Sequence, residues 1–128
     1  MMRIGMGRIK MYVSLHAYSQ LILTPYGYTK RLPRGYAEIE RVAIAARNAI
    51  ASVRGIQYRY GPSSRLLYTS SGGSDDYAYD EGKIQFSYTI ELPDKGEKGF
   101  VLPASEIVPV GFETLVAIRA MTDAISLE

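Results

Sequence analysis

The strongest constraint on the fold is a change of period along the chain. Tyr36 to Val53 places Ile39, Val42, Ala43, Ala46, Ala49, Ile50 and Val53 on one stripe at helical spacing. On either side lie runs of β-branched and aromatic residues, IKMYVSLH at Ile9–His16 and IQFSYTIEL at Ile84–Leu92. An amphipathic helix between strands has one stable arrangement, in which its apolar stripe lies on a sheet, and the chain is therefore of the α/β class. Glu38 suits the first turn of this helix, Arg54 the last, and Gly55 the position just beyond.

The remaining elements follow from the same reading. Ala17 to Gly35 carries little periodicity and is expected to be a long, functional loop. Ile56–Tyr60 is expected to be a short strand closed by Gly61-Pro62. LLYTSSGGSDDYAYDEG is expected to be mostly loop, with Ser74 capping a short helix whose first turn holds Asp75 and Asp76. Pro93 to Pro103 is a turn-rich connector, and Val110 to Leu127 a second amphipathic helix. With 128 residues, no repeats and no linker, the chain is one unit.

Composition excludes several chemistries. There is no Cys and a single His, so disulfides, thiolate sites and any site needing two imidazoles from this chain are ruled out. The net charge of +2 is small and the basic residues are scattered, with one cluster at Arg3, Arg8 and Lys10. This is no footprint for nucleic acid. No apolar run reaches the roughly 20 residues of a membrane span, and the opening apolar stretch is broken by Ser14, His16, Ser19 and Gln20.

Three features could carry chemistry. His16 ends a strand, where open α/β sheets place their ligands. Glu91 puts a carboxylate near the end of an apolar strand. SGGSDD pairs two aspartates with glycines that allow close backbone approach. On residue patterns alone each has a plain structural alternative: a hydrogen-bonded histidine, a strand-end charge and a helix N-terminus. Eleven tyrosines also leave open a Tyr-rich binding module. It would need Tyr18, Tyr26, Tyr28, Tyr77 and Tyr79 exposed on one face.

Four blocks, SLHAYSQLILTPYGYT, LLYTSSGGSDDYAYD, YTIELPDKGEKGFVLPASEIVP and ETLVAI, occur in the order and approximate spacing of a known family. Through them the chain resembles the zinc metallocarboxypeptidases of the carboxypeptidase A/B type. The match runs over about residues 9–127 and covers the C-terminal part, less than half, of that family's catalytic domain. The resemblance implies an incomplete mixed sheet with flanking helices, a partial peptidase domain across 1–128. It implies a secreted hydrolase that removes C-terminal residues from peptides with zinc as cofactor. His16 matches a zinc ligand, and Glu91 the carboxylate that takes a proton from the attacking water and passes it to the leaving amine. Tyr18 and Phe100 match the walls of the outer subsites, and Tyr68 the mobile tyrosine that closes over the substrate carboxylate. Asp75 falls at the base of the pocket for the last side chain. An aspartate there resembles the B-type pattern and favours Lys or Arg, because an apolar occupant would leave it unpaired at a cost of ~3–5 kcal/mol. Gly27, in PYGY, resembles the A-type. Asp76 is expected to serve the helix start.

The resemblance implies a cis peptide bond between Ala17 and Tyr18. Ala17 replaces a serine, Tyr77 a common tryptophan and Pro93 an arginine. The family's other zinc ligands come from an upstream His-x-x-Glu motif, and an oxyanion-stabilising arginine and a carboxylate-gripping Asn-Arg pair also lie upstream. His-x-x-Glu cannot be present in a chain with one His. The expectation is therefore an inactive fragment, with Met1 an internal methionine or the start of a truncated gene model. An open sheet edge and exposed apolar patches should mark where neighbours are missing. The alternative is a truncated, non-catalytic paralogue that binds peptide C-termini.

Overall fold

The computed structural model describes residues 7–126. Arg3 of the basic cluster, and Leu127 at the expected end of the last helix, lie outside the described residues. Four strands, β1 (Met11–Ala17), β2 (Leu21–Thr24), β3 (Arg59–Pro62) and β4 (Phe86–Leu92), form one mixed sheet in the order β1-β4-β2-β3. β1 runs parallel to β4, β4 antiparallel to β2, and β2 parallel to β3. The helices are α1 (Tyr36–Arg54), α2 (Ser63–Leu66), α3 (Ser74–Asp80) and α4 (Ile107–Ser126), the last preceded by a 3-10 turn at Ala104–Glu106.

The side chains of β4 divide the molecule into two faces. Phe86, Tyr88 and Ile90 join Ile22 of β2 in a core with Ile39, Val42, Ala43, Ala46 and Ile50 of α1 and Ala117 and Met121 of α4. The small residues Ala43, Ala46 and Ala117 are fully buried, where they let the two helices approach each other and the sheet. The Tyr88 hydroxyl donates to the Ile39 carbonyl at 2.9 Å, satisfying the polar end of a buried ring. Ser87, Thr89 and Glu91 point to the opposite face, and there α3 contacts β4 and β1.

Several boundaries differ from the sequence reading, each for a physical reason. The stretch after His16 contains β2, which is buried along its whole length and lies inside the sheet. A strand covered on both faces shows no alternation. β3 begins three residues later than expected and includes Gly61 and Pro62. As an edge strand it tolerates a proline without an N–H. α2 is an unexpected single turn. α3 starts at Ser74 with Gly73 as its cap residue and no side-chain cap, so Ser74 does not cap it. α4 starts at Ile107, because Pro109 falls in the first turn, where a missing N–H costs nothing.

β1 ends the sheet and its outer side is unpaired among the described residues. Leu15 of β1 and Ile107, Val108, Phe112 and Leu115 of α4 are exposed. Leu15, Leu92, Leu102, Val110, Leu115 and Ile118 line an apolar groove of about 460 Å³. No helix of the described residues is long and apolar enough to cross a membrane.

The far ends of α1 and α4 are tied by an ion pair. Arg54 Nε and Nη2 donate to the Glu113 carboxylate at 2.8 and 3.1 Å, and Arg54 also meets Glu106 at 3.0 Å. The Glu113 side chain is fully buried, so removing its partner leaves an uncompensated charge. Arg54→Ala is expected to destabilise the chain by about 3–5 kcal/mol in denaturant unfolding. A loss within about 0.5 kcal/mol, the range of an ordinary surface change, would show that the pair is not what makes Glu113 tolerable.

Candidate active site

The parallel pairing of β1 with β4 sets His16 beside Glu91 in register at the C-terminal ends of both strands. Side chains aligned across two strands share a face. His16 Nδ1 lies 3.4 Å from Glu91 Oε2 and 3.0 Å from the Ala17 carbonyl oxygen. The imidazole is 67% exposed and the carboxylate 13%, so Glu91 is sheltered behind a histidine open to solvent. The Ala17–Tyr18 peptide is cis, as are Pro25–Tyr26 and Pro93–Asp94. Just beyond, the Ser19 amide donates to the Leu92 carbonyl at 3.1 Å, closing the two strand ends on each other.

Tyr18 and Phe100 come together at this end. Their rings meet edge to face with centroids 4.9 Å apart, a favourable aromatic geometry. Phe100 is otherwise 77% exposed. Tyr68, between α2 and α3, is 72% exposed, its ring in solvent.

Asp75 sits on the same face as Glu91. The Thr89 hydroxyl, two residues before Glu91 on β4, faces its carboxylate and favours its charged form, and the Asp76 amide donates to Oδ1 at 3.1 Å. Gly73 leaves room for it, since a Cβ there would stand 3.0 Å from Asp75 Oδ1. Asp75 is buried. Loss of water, and secondarily the Asp76 charge, push its carboxyl above the ordinary aspartate value. Such a group binds its proton more tightly folded than unfolded. The stability it contributes is present in acid and is lost as pH rises through the folded value.

Asp76 does more than serve the helix start. Its carboxylate accepts the Gly27 amide at 3.0 and 2.9 Å and the Tyr28 amide at 3.1 Å, clamping PYGY to α3. The Ser70 amide donates to the Gly27 carbonyl at 2.8 Å and completes the tie. Neither Asp76 as a clamp nor Thr89 as a partner of Asp75 was visible in the pattern; both contacts span distant segments. The tyrosines do not form one exposed face, because Tyr26 is buried with its hydroxyl donating to Asp80 at 3.0 Å.

His16 is a suitable single donor for zinc, since an open imidazole at a rigid strand end is a common ligand. Among the described residues no group of three or more His, Cys, Asp or Glu side chains could hold a metal ion. The residues present therefore fit part of a zinc site and do not complete one.

Asp76→Asn removes the like charge beside Asp75. The Asp75 carboxyl is then expected to titrate closer to the ordinary aspartate value, followed by carboxyl carbon NMR across a pH series. An upward movement, or none, would show that the Asp76 charge does not reach it.

The zinc carboxypeptidase family model matches residues 1–117. Carboxypeptidase B of Bos taurus is 48% identical over 114 residues, 89% of this chain and 27% of the relative. Carboxypeptidase A4 of Mus musculus is 43% identical over 117 residues, 91% of this chain and 28% of the relative. Among solved structures, bovine thrombin-activatable fibrinolysis inhibitor in complex with tick carboxypeptidase inhibitor superposes with a TM-score of 0.88 and 42% identity. That match covers 93% of this chain and 40% of the other. The chain thus spans less than a third of the length of these two curated relatives.

Proposed function

We propose, since this chain belongs to the zinc carboxypeptidase family, that it forms the base-and-pocket part of a metallocarboxypeptidase that removes Lys or Arg from peptide C-termini. The observation that carries this is His16 and Glu91 side by side at two parallel strand ends, 3.4 Å apart. Zinc, when bound, supplies the Lewis acidity that makes water a nucleophile near neutral pH, with His16 as its one ligand from this chain. Glu91, sheltered at the strand end, would accept a proton from the attacking water and pass it to the leaving amine. Tyr68, largely exposed, closes over the substrate carboxylate. Tyr18 and Phe100 wall the subsites for the preceding residues.

Asp75 sets the preference. It is a buried carboxylate with a hydroxyl and an amide for partners and a neighbouring like charge. A Lys or Arg side chain neutralises it; an aliphatic one leaves it unpaired. The lack of a complete donor set among the described residues supports a further reading: catalysis draws on residues beyond these 128, and the isolated chain is inactive. The natural site of action is extracellular, as for the secreted enzymes the sequence resembles.

The test uses the purified chain, with zinc measured by elemental analysis and ligands by calorimetric titration. Sub-stoichiometric zinc and no hydrolysis of a Lys-ended peptide are expected, together with binding of that peptide in preference to a Leu-ended one. Asp75→Leu should abolish this preference, a change of about 10²–10³-fold. Stoichiometric zinc with turnover would overturn the fragment reading, and equal binding of Lys and Leu ends would overturn the specificity. Binding without turnover even in a longer chain that carries His-x-x-Glu would favour a non-catalytic paralogue.

A further inference from the structure

The segment after β4 contains no regular structure until the 3-10 turn at Ala104, yet it is tightly folded around one side chain. Asp94 Oδ1 accepts the amides of Gly96 at 2.7 Å and Gly99 at 3.0 Å, and Oδ2 accepts that of Lys98 at 3.0 Å. These bonds, that of Gly96 foremost, hold the carboxyl below the ordinary aspartate value. The turn they make is the surface on which Tyr18 rests. A Cβ on Gly99 would stand 2.9 Å from Tyr18 Cε1 and 3.2 Å from Cζ, and one on Gly96 would stand 3.6 Å from Cε2. Gly99 also holds φ +57, so this position needs glycine for its backbone as well as its neighbour.

Phe100 follows directly. A phenylalanine that is 77% exposed and packed edge to face on Tyr18 has most of its ring turned to water, an arrangement that suits contact with a ligand. Its location depends on the turn beneath it, and the turn depends on three charge-assisted bonds to one carboxylate.

We propose that Asp94 is a positioning residue: by folding the 94–99 turn under Tyr18 it fixes the Tyr18–Phe100 wall, and so the grip on peptide residues that precede the C-terminal one. This rests on the carboxypeptidase reading for what the wall holds, but not for how the wall is held. Asp94 touches no substrate and acts only through the two rings.

The experiment has two arms, both on the purified chain. In the first, the α-hydrogen of Gly99 that points at the Tyr18 ring reports the fit by its ring-current shift. Asp94→Ala should remove most of that shift. Asp94→Asn, which keeps one acceptor oxygen for Gly96 and Gly99, should retain most of it, and Lys98→Ala, which removes only a side chain, should leave it unchanged. In the second, free lysine and the peptide Gly-Phe-Lys are titrated against each protein. Asp94→Ala should weaken the peptide about three- to ten-fold and leave lysine unaffected, and Asp94→Asn should restore most of the difference. An unchanged Gly99 shift in Asp94→Ala, or an equal loss for lysine and peptide, would overturn the proposal. If the wild-type chain binds neither ligand, the carboxypeptidase reading falls, and the ring-current arm alone decides whether Asp94 holds the wall.

Discussion

The register between β1 and β4 is the constraint on which the rest depends. Because the two strands run parallel and pair His16 with Glu91, an imidazole and a carboxylate leave the sheet side by side from its C-terminal edge. A slip of one residue would turn one of them to the opposite face. The register is pinned on that opposite face. Phe86, Tyr88 and Ile90 alternate with the outward residues of β4 and are locked into α1 and α4, with the Tyr88 hydroxyl bonded to the Ile39 carbonyl. The apolar core therefore fixes the chemistry without touching it.

Three buried acids show how differently one charge type can be accommodated in one small domain. Glu113 has a guanidinium in two-point contact. Asp76 has the amides of Gly27 and Tyr28, which solvate a carboxylate without cancelling its charge. Asp75 has one amide, one hydroxyl and a like-charged neighbour. The first two are satisfied within the fold. The third has no cation beside it among the described residues, and it shares a face with Glu91. The three acids thus differ in their partners rather than in their burial.

Much of this was legible in the sequence where periodicity speaks. α1 begins at the expected Tyr36 and ends one residue past Val53, and β1 and β4 lie where β-branched and aromatic residues concentrate. His16 and Glu91 were singled out from their strand ends, and the structure brings them together. β2 was hidden because LILT is buried on both faces and shows no alternation. Gly61-Pro62 was read as closing β3, yet an edge strand can accept both residues. The work of Asp76 and Asp94 could not be read locally. Asp76 reaches back 49 residues to Gly27, and Asp94 matters through a ring that precedes it by most of the chain.

The location of the pair in the sheet gives its two members different exposures. His16 lies on β1, the terminal strand, and is two-thirds exposed, whereas Glu91 is shielded on the inner strand. The carboxylate is thus the sheltered member of the pair and the histidine, on β1, the open one. The same strand presents Leu15 to an apolar groove shared with α4 on the opposite face.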